Sequence, residues 1–72
     1  MNPEQRRIWL VIKADRFATN LEIAKRAKLG KMSRQAVQQK IQAMAASGFI
    51  DVVLPPKREL IARDVLPTTQ LS

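Results

Sequence analysis

Cysteine and histidine are both missing from this chain of 72 residues. Without cysteine there is no disulfide framework and no thiolate metal site. Without histidine the commonest general base and the commonest metal ligand are gone. Aromatic residues make up only 4% of the chain. That is too few for the stacking platforms on which RNA and single-strand recognition rely. The two glycines, Gly30 and Gly48, stand alone, so no glycine-rich loop can cradle a phosphate. The longest apolar run near the N-terminus, Ile8 to Ile12, has five residues, against about 20 for a membrane span. No signal-peptide core follows the polar start Met1 to Arg7. Asp15, Glu22, Asp51, Glu59 and Asp64 form no spacing that would hold a metal. The expectation is a cytoplasmic protein, nucleoid-associated in a bacterium or phage, that is not an enzyme. It needs no cofactor or metal, touches no membrane and shows no small-molecule ligand.

What is present is positive charge. Thirteen Lys and Arg stand against six Asp and Glu, giving +7 and a pI near 11.0. Hydrophobic residues at 46% and charged residues at 26% are ordinary globular composition. A chain this short makes one small domain that buries only about 60% of its unfolded surface. Such an excess of cations in so small a body points to a polyanion, above all nucleic acid.

Local signals divide the chain into five elements. Asn2 as N-cap, Pro3 at the first helical position and Glu4 in the first turn open a helix over 3–16. Ile8, Val11 and Ile12 form its inner face, widened by Trp9 and Leu10. Thr19 with Glu22 reads as a capping box for a second helix, with Ile23, Ala24 and Ala27 inward. That helix ends near Lys28, with Gly30 as its left-handed stop. Ser33 caps a third helix that runs to about Ser47, with Gly48 just past its end. Val37, Ile41, Met44 and Ala45 face inward from it. The pattern then switches to strands, 49–54 and 59–65, across the stiff basic turn Pro55-Pro56-Lys57-Arg58. Ile61 and Val65 are expected on the apolar side of the second strand. Three helices followed by a β-hairpin is the order of a winged helix-turn-helix, mainly α with a two-stranded wing. The domain is expected to span 1–66, with 67–72 as a polar tail.

No acidic residue occurs between Ile23 and Ile50, while Lys25, Arg26, Lys28, Lys31, Arg34 and Lys40 all do. With Lys57 and Arg58 at the hairpin tip they are candidate contacts to DNA phosphates, and Arg34 reads as a phosphate contact more than a guanine reader. On the third helix Gln35, Gln38, Gln39 and Gln42 project away from the inner face. A glutamine amide can grip adenine through N6 and N7 in the major groove, and this part of the helix is where helix-turn-helix proteins touch base edges. The plain alternatives are a solvated basic face and glutamines chosen as good helix formers. Ser33 caps the helix and can also bond a phosphate. Trp9 and Phe49 are expected in the core, and Arg6 and Arg7 on a solvated face.

Three segments carry a resemblance. Thr19-Asn20-Leu21-Glu22-Ile23-Ala24, then Ser33 to Met44, then Gly48-Phe49-Ile50-Asp51-Val52 resemble the DNA-binding domain of LexA-type repressors over about Ile8 to Val53. The resemblance implies that Ser33, Gln35, Ala36, Gln38 and Gln39 read bases. This chain carries two more residues between its second and third helices, and Pro-Pro where the family's wing turn has glycines. It has no counterpart of the self-cleavage domain, so no serine–lysine chemistry carries over. What remains implied is a lone DNA reader of the small phage or plasmid regulator kind.

The expected function is sequence-specific binding of double-stranded DNA, as a small transcriptional repressor or autoregulator. Two other classes stay open: a winged-helix module that docks on a protein partner in a transcription or replication complex, and an architectural factor for recombination or replication. One short helix reads few base pairs, so self-association on DNA is expected. Its candidate surface is the apolar residues left over at the ends, namely Trp9 or Leu10 with Leu60, Val65, Leu66 and Leu71.

Overall fold

The computed structural model describes residues 1–54 and 57–63. Three helices, α1 (Pro3–Ala14), α2 (Asn20–Arg26) and α3 (Arg34–Ala46), precede an antiparallel hairpin of β1 (Ile50–Val53) and β2 (Glu59–Ala62). This is the winged helix-turn-helix order. Among the described residues no helix is long and apolar enough to cross a membrane.

Each helix starts at the expected cap. The Asn2 side chain accepts from the Gln5 N–H at 2.7 Å, and the Gln5 side chain answers at the Asn2 N–H. Thr19 and Glu22 form the same reciprocal box, and Ser33 Oγ accepts from the Ala36 N–H at 3.1 Å. Such caps stabilise a helix by about 1 kcal/mol each. The ends depart from expectation. α1 stops at Ala14 because Asp15 turns into an extended conformation, and its carboxylate accepts from the Phe17 N–H at 3.1 Å. The short polar side chain thus replaces the next helical bond.

The stop of α2 is a correction. Gly30 has a positive φ of 76°, but the left-handed residue that closes the helix is Lys28, at φ 56°. The Lys28 N–H reaches the Lys25 carbonyl, and the Leu29 N–H reaches the Ala24 carbonyl at 2.9 Å. These two bonds are a Schellman motif, which normally prefers glycine at this position. α3 closes by the same pair of bonds with Gly48 at φ 83°, as expected, and Ser47 is its C-cap.

Ile8 and Ile12 of α1, Ile23 of α2, Val37, Ile41 and Met44 of α3, Ile50 and Leu60 form the buried core, with Trp9 and Phe49 half-buried against it. The second strand turns opposite to expectation. Leu60 is 0% exposed and Ile61 is 40% exposed. The cause is tertiary: the Leu60 N–H donates to the Arg16 carbonyl at 2.8 Å, which lays β2 against the segment after α1. Leu60 is therefore core and not a spare apolar residue for self-association. Val65, Leu66 and Leu71, the last part of the second strand and the tail 67–72 lie outside the described residues.

Leu60→Ala should lower the unfolding free energy by about 2–5 kcal/mol, the cost of a cavity in a closed core. Ile61→Ala should lower it by under about 1 kcal/mol. Urea denaturation followed by helical circular dichroism measures both, and equal losses would contradict the assigned strand face.

Candidate nucleic-acid interface

α3 packs Val37, Ile41 and Met44 inward, so its polar stripe is forced outward. Gln35, Gln39 and Gln42 are exposed on that stripe, and Gln38 and Ala36 are half-buried beside them. Ser33 is exposed at the helix start, with its hydroxyl engaged as the cap. Three of the four glutamines thus offer free amides to solvent.

Gln38 is different. Its Oε1 accepts from Asn20 Nδ2 at 3.1 Å and from Arg58 Nη1 at 3.4 Å. A bidentate grip on adenine needs the amide oxygen and the amide nitrogen together. With the oxygen held inside the protein, Gln38 retains only its N–H donors.

Arg58 is the centre of that arrangement. Its guanidinium donates to Asn20 Oδ1, to Gln38 Oε1 and, at 2.7 Å, to the Ala18 carbonyl. It ties the base of the hairpin tip to the start of α2 and the second turn of α3. Nearby, Arg16 and Glu59 pair at 2.9 Å, and Trp9 Nε1 donates to the Arg63 carbonyl at 3.0 Å. The hairpin is therefore anchored at both ends of β2.

The remaining candidate cations sort by partner. Arg26 pairs with Asp15 at 3.4 Å and with Glu22 at 3.6 Å, and Lys40 pairs with Glu4 at 2.6 Å. Partly exposed pairs of this kind contribute at most about 1 kcal/mol, but each carboxylate cancels the field of its cation. Lys25, Lys28, Lys31, Arg34 and Lys57 are exposed and have no ion pair among the described residues. Lys57 lies over the Phe17 ring, 5.6 Å from its centroid. The acid-free stretch thus supplies four unpaired cations at and after the end of α2, and the wing tip adds a fifth.

Sequence reasoning missed an open groove of about 500 Å³ between the wing tip and the starts of α2 and α3. Phe17 and Leu21, each 50% exposed, form its apolar part, while Arg34 and Lys57 line it with positive charge. Phe17 left a faint signal as an aromatic residue just beyond the α1 pattern. Arg7 was also missed: its Nε donates to the Ala27 carbonyl at 2.8 Å and so caps the end of α2.

No protein-family model, curated protein or solved structure matches the chain.

Arg58→Ala should cost about 1–3 kcal/mol, because it leaves the Ala18 carbonyl and the Asn20–Gln38 pair short of a donor. Amide hydrogen exchange across Glu59–Ala62 should quicken while the core of α1 stays protected. Unchanged hairpin exchange would mean that Arg58 does not anchor the wing.

Proposed function

We propose that the protein binds double-stranded DNA sequence-specifically, as a small transcriptional repressor or autoregulator. α3 enters the major groove and the wing lies along the backbone. The observation that carries this reading is the pairing of an exposed glutamine stripe, Gln35, Gln39 and Gln42, with the exposed cations Lys25, Lys28, Lys31, Arg34 and Lys57, which have no ion pair among the described residues. Amides aimed at solvent can read base edges, and unpaired cations can replace counterions on phosphates. In this reading Lys25, Lys28, Lys31, Arg34 and Lys57 contact the backbone, and Arg34 and Ser33 lie where the first turn of α3 meets a phosphate. Arg26 and Lys40 contribute less, because a duplex must compete with Glu4, Asp15 and Glu22 for them. Gln38 sets the frame of the site through Arg58 and adds at most a single donor to a base.

A second reading has its own support. Exposed Phe17 and Leu21 beside Arg34 and Lys57 would suit an acidic protein segment with an apolar anchor. Phe17→Ala separates the two readings, since it weakens such a protein contact and leaves duplex affinity nearly unchanged.

Selection from randomised duplexes should enrich a defined site. On that site Gln35→Ala with Gln39→Ala should cost about 1–3 kcal/mol per lost bidentate contact, and binding to random duplex should hardly change. Equal loss on both DNAs, or no enriched sequence, would contradict base reading by α3.

A further inference from the structure

Among the described residues the hairpin has one covered edge and one free edge. The Arg63 N–H donates to the Phe49 carbonyl, so residues 49 and 63 are a hydrogen-bonded pair. Pairs alternate along an antiparallel ladder. With the register Ile50↔Ala62, Asp51↔Ile61, Val52↔Leu60 and Val53↔Glu59, the pairs at 51 and 53 exchange bonds and those at 50 and 52 do not. The backbone N–H and C=O of Ile50 and Val52 therefore aim out of the hairpin. On β2 the outward N–H of Leu60 is used by the Arg16 carbonyl. On β1 no backbone bond beyond the hairpin is made from Ile50 to Val53 among the described residues.

That free edge exposes apolar side chains on both faces. Val52 is 40% and Leu54 63% exposed along one face, and Val53 is 41% exposed on the other. A bare, β-branched, exposed edge is a template for another strand. It is also nearly neutral: Asp51 is the one charged residue between Gly48 and Leu54, and both its oxygens lie 3.2 Å from Arg63 Nη1. In a chain of +7, two copies repel least where such an edge meets itself. Pro55, which lacks an N–H, ends the run of donors after Leu54.

We propose that β1 pairs antiparallel with β1 of a second copy of the chain, with the two-fold axis at Val52. This register matches all the outward groups. Val52 faces Val52 of the second copy in a hydrogen-bonded pair, Ile50 faces Leu54, and Asp51 faces Val53. The two hairpins join into one continuous sheet, an isologous contact that closes on itself. Five residues a side make a small interface, so the association is weak. The pairing is independent of the DNA reading and supplies a surface for self-association built wholly from described residues.

Sedimentation equilibrium of the full chain without DNA should show monomer near ~1 µM and dimer near ~1 mM. Val53→Asp, which sets two carboxylates directly opposite each other, should weaken dimerisation at least tenfold. Val53→Lys, which places an amine opposite Asp51 of the second copy, should preserve it, and helical circular dichroism should be native in both variants. The chain has no cysteine, so Val52→Cys is a unique reporter. Paired residues at a hydrogen-bonded position lie about 5.5 Å apart between Cα atoms, within disulfide range. Val52→Cys should therefore cross-link on mild oxidation, and Ala14→Cys should not. A chain that stays monomeric at ~1 mM overturns self-pairing. A dimer that survives Val53→Asp, or that fails to cross-link at Val52, overturns this edge.

Discussion

Arg58 makes the geometry of the whole surface depend on one guanidinium. Its donors reach the Ala18 carbonyl, Asn20 and Gln38. The hairpin, the start of α2 and the second turn of α3 therefore cannot shift independently. A lysine could not hold this position, because an ammonium lacks the planar fork that serves three acceptors in fixed directions. The Leu60 bond to Arg16 and the Trp9 bond to Arg63 then lay the rest of the hairpin along the core. In a chain this small the hydrophobic core alone leaves little stability in reserve. Polar bonds thus help to fix the hairpin against the helices.

The same contacts divide the charges into two kinds. Arg58, Arg16, Arg63, Arg26 and Lys40 are committed to partners within the molecule. Of the candidate phosphate contacts, Lys25, Lys28, Lys31, Arg34 and Lys57 have no ion pair among the described residues. Only uncommitted cations release counterions on meeting a phosphate without first breaking a native contact. The electrostatic footprint proposed for the duplex is therefore narrower than the net charge suggests. Lys28 illustrates the trade. It occupies a left-handed position where glycine would cost less backbone strain, and it keeps a charge at the end of α2.

Much of the fold was legible because its signals are local. Asn2, Thr19 and Ser33 announce their helices within three residues, and the inner faces follow from helical periodicity. The face of β2 was not legible. Leu60 and Ile61 are adjacent and both apolar, so a two-residue period has two solutions, and only the bond to Arg16 chooses between them. The stop of α2 misled for a related reason: Gly30 looked like the natural left-handed residue, but the two Schellman bonds form at Lys28 and Leu29. At the candidate site the outward direction of Gln35, Gln39 and Gln42 followed from the helix pattern. The engagement of Gln38 did not, because its partners lie 18 and 20 residues away. Arg58 looked like a tip cation for the same reason, since its partner Asn20 is 38 residues away.

The most direct test of a duplex-binding surface is the salt dependence of affinity for random double-stranded DNA. Five uncommitted cations on phosphates predict that log K falls with log salt at a slope of about −4 to −5. A slope near zero, or no binding at low salt, would contradict the account. It would mean that the exposed cations and the glutamine stripe serve a partner other than DNA.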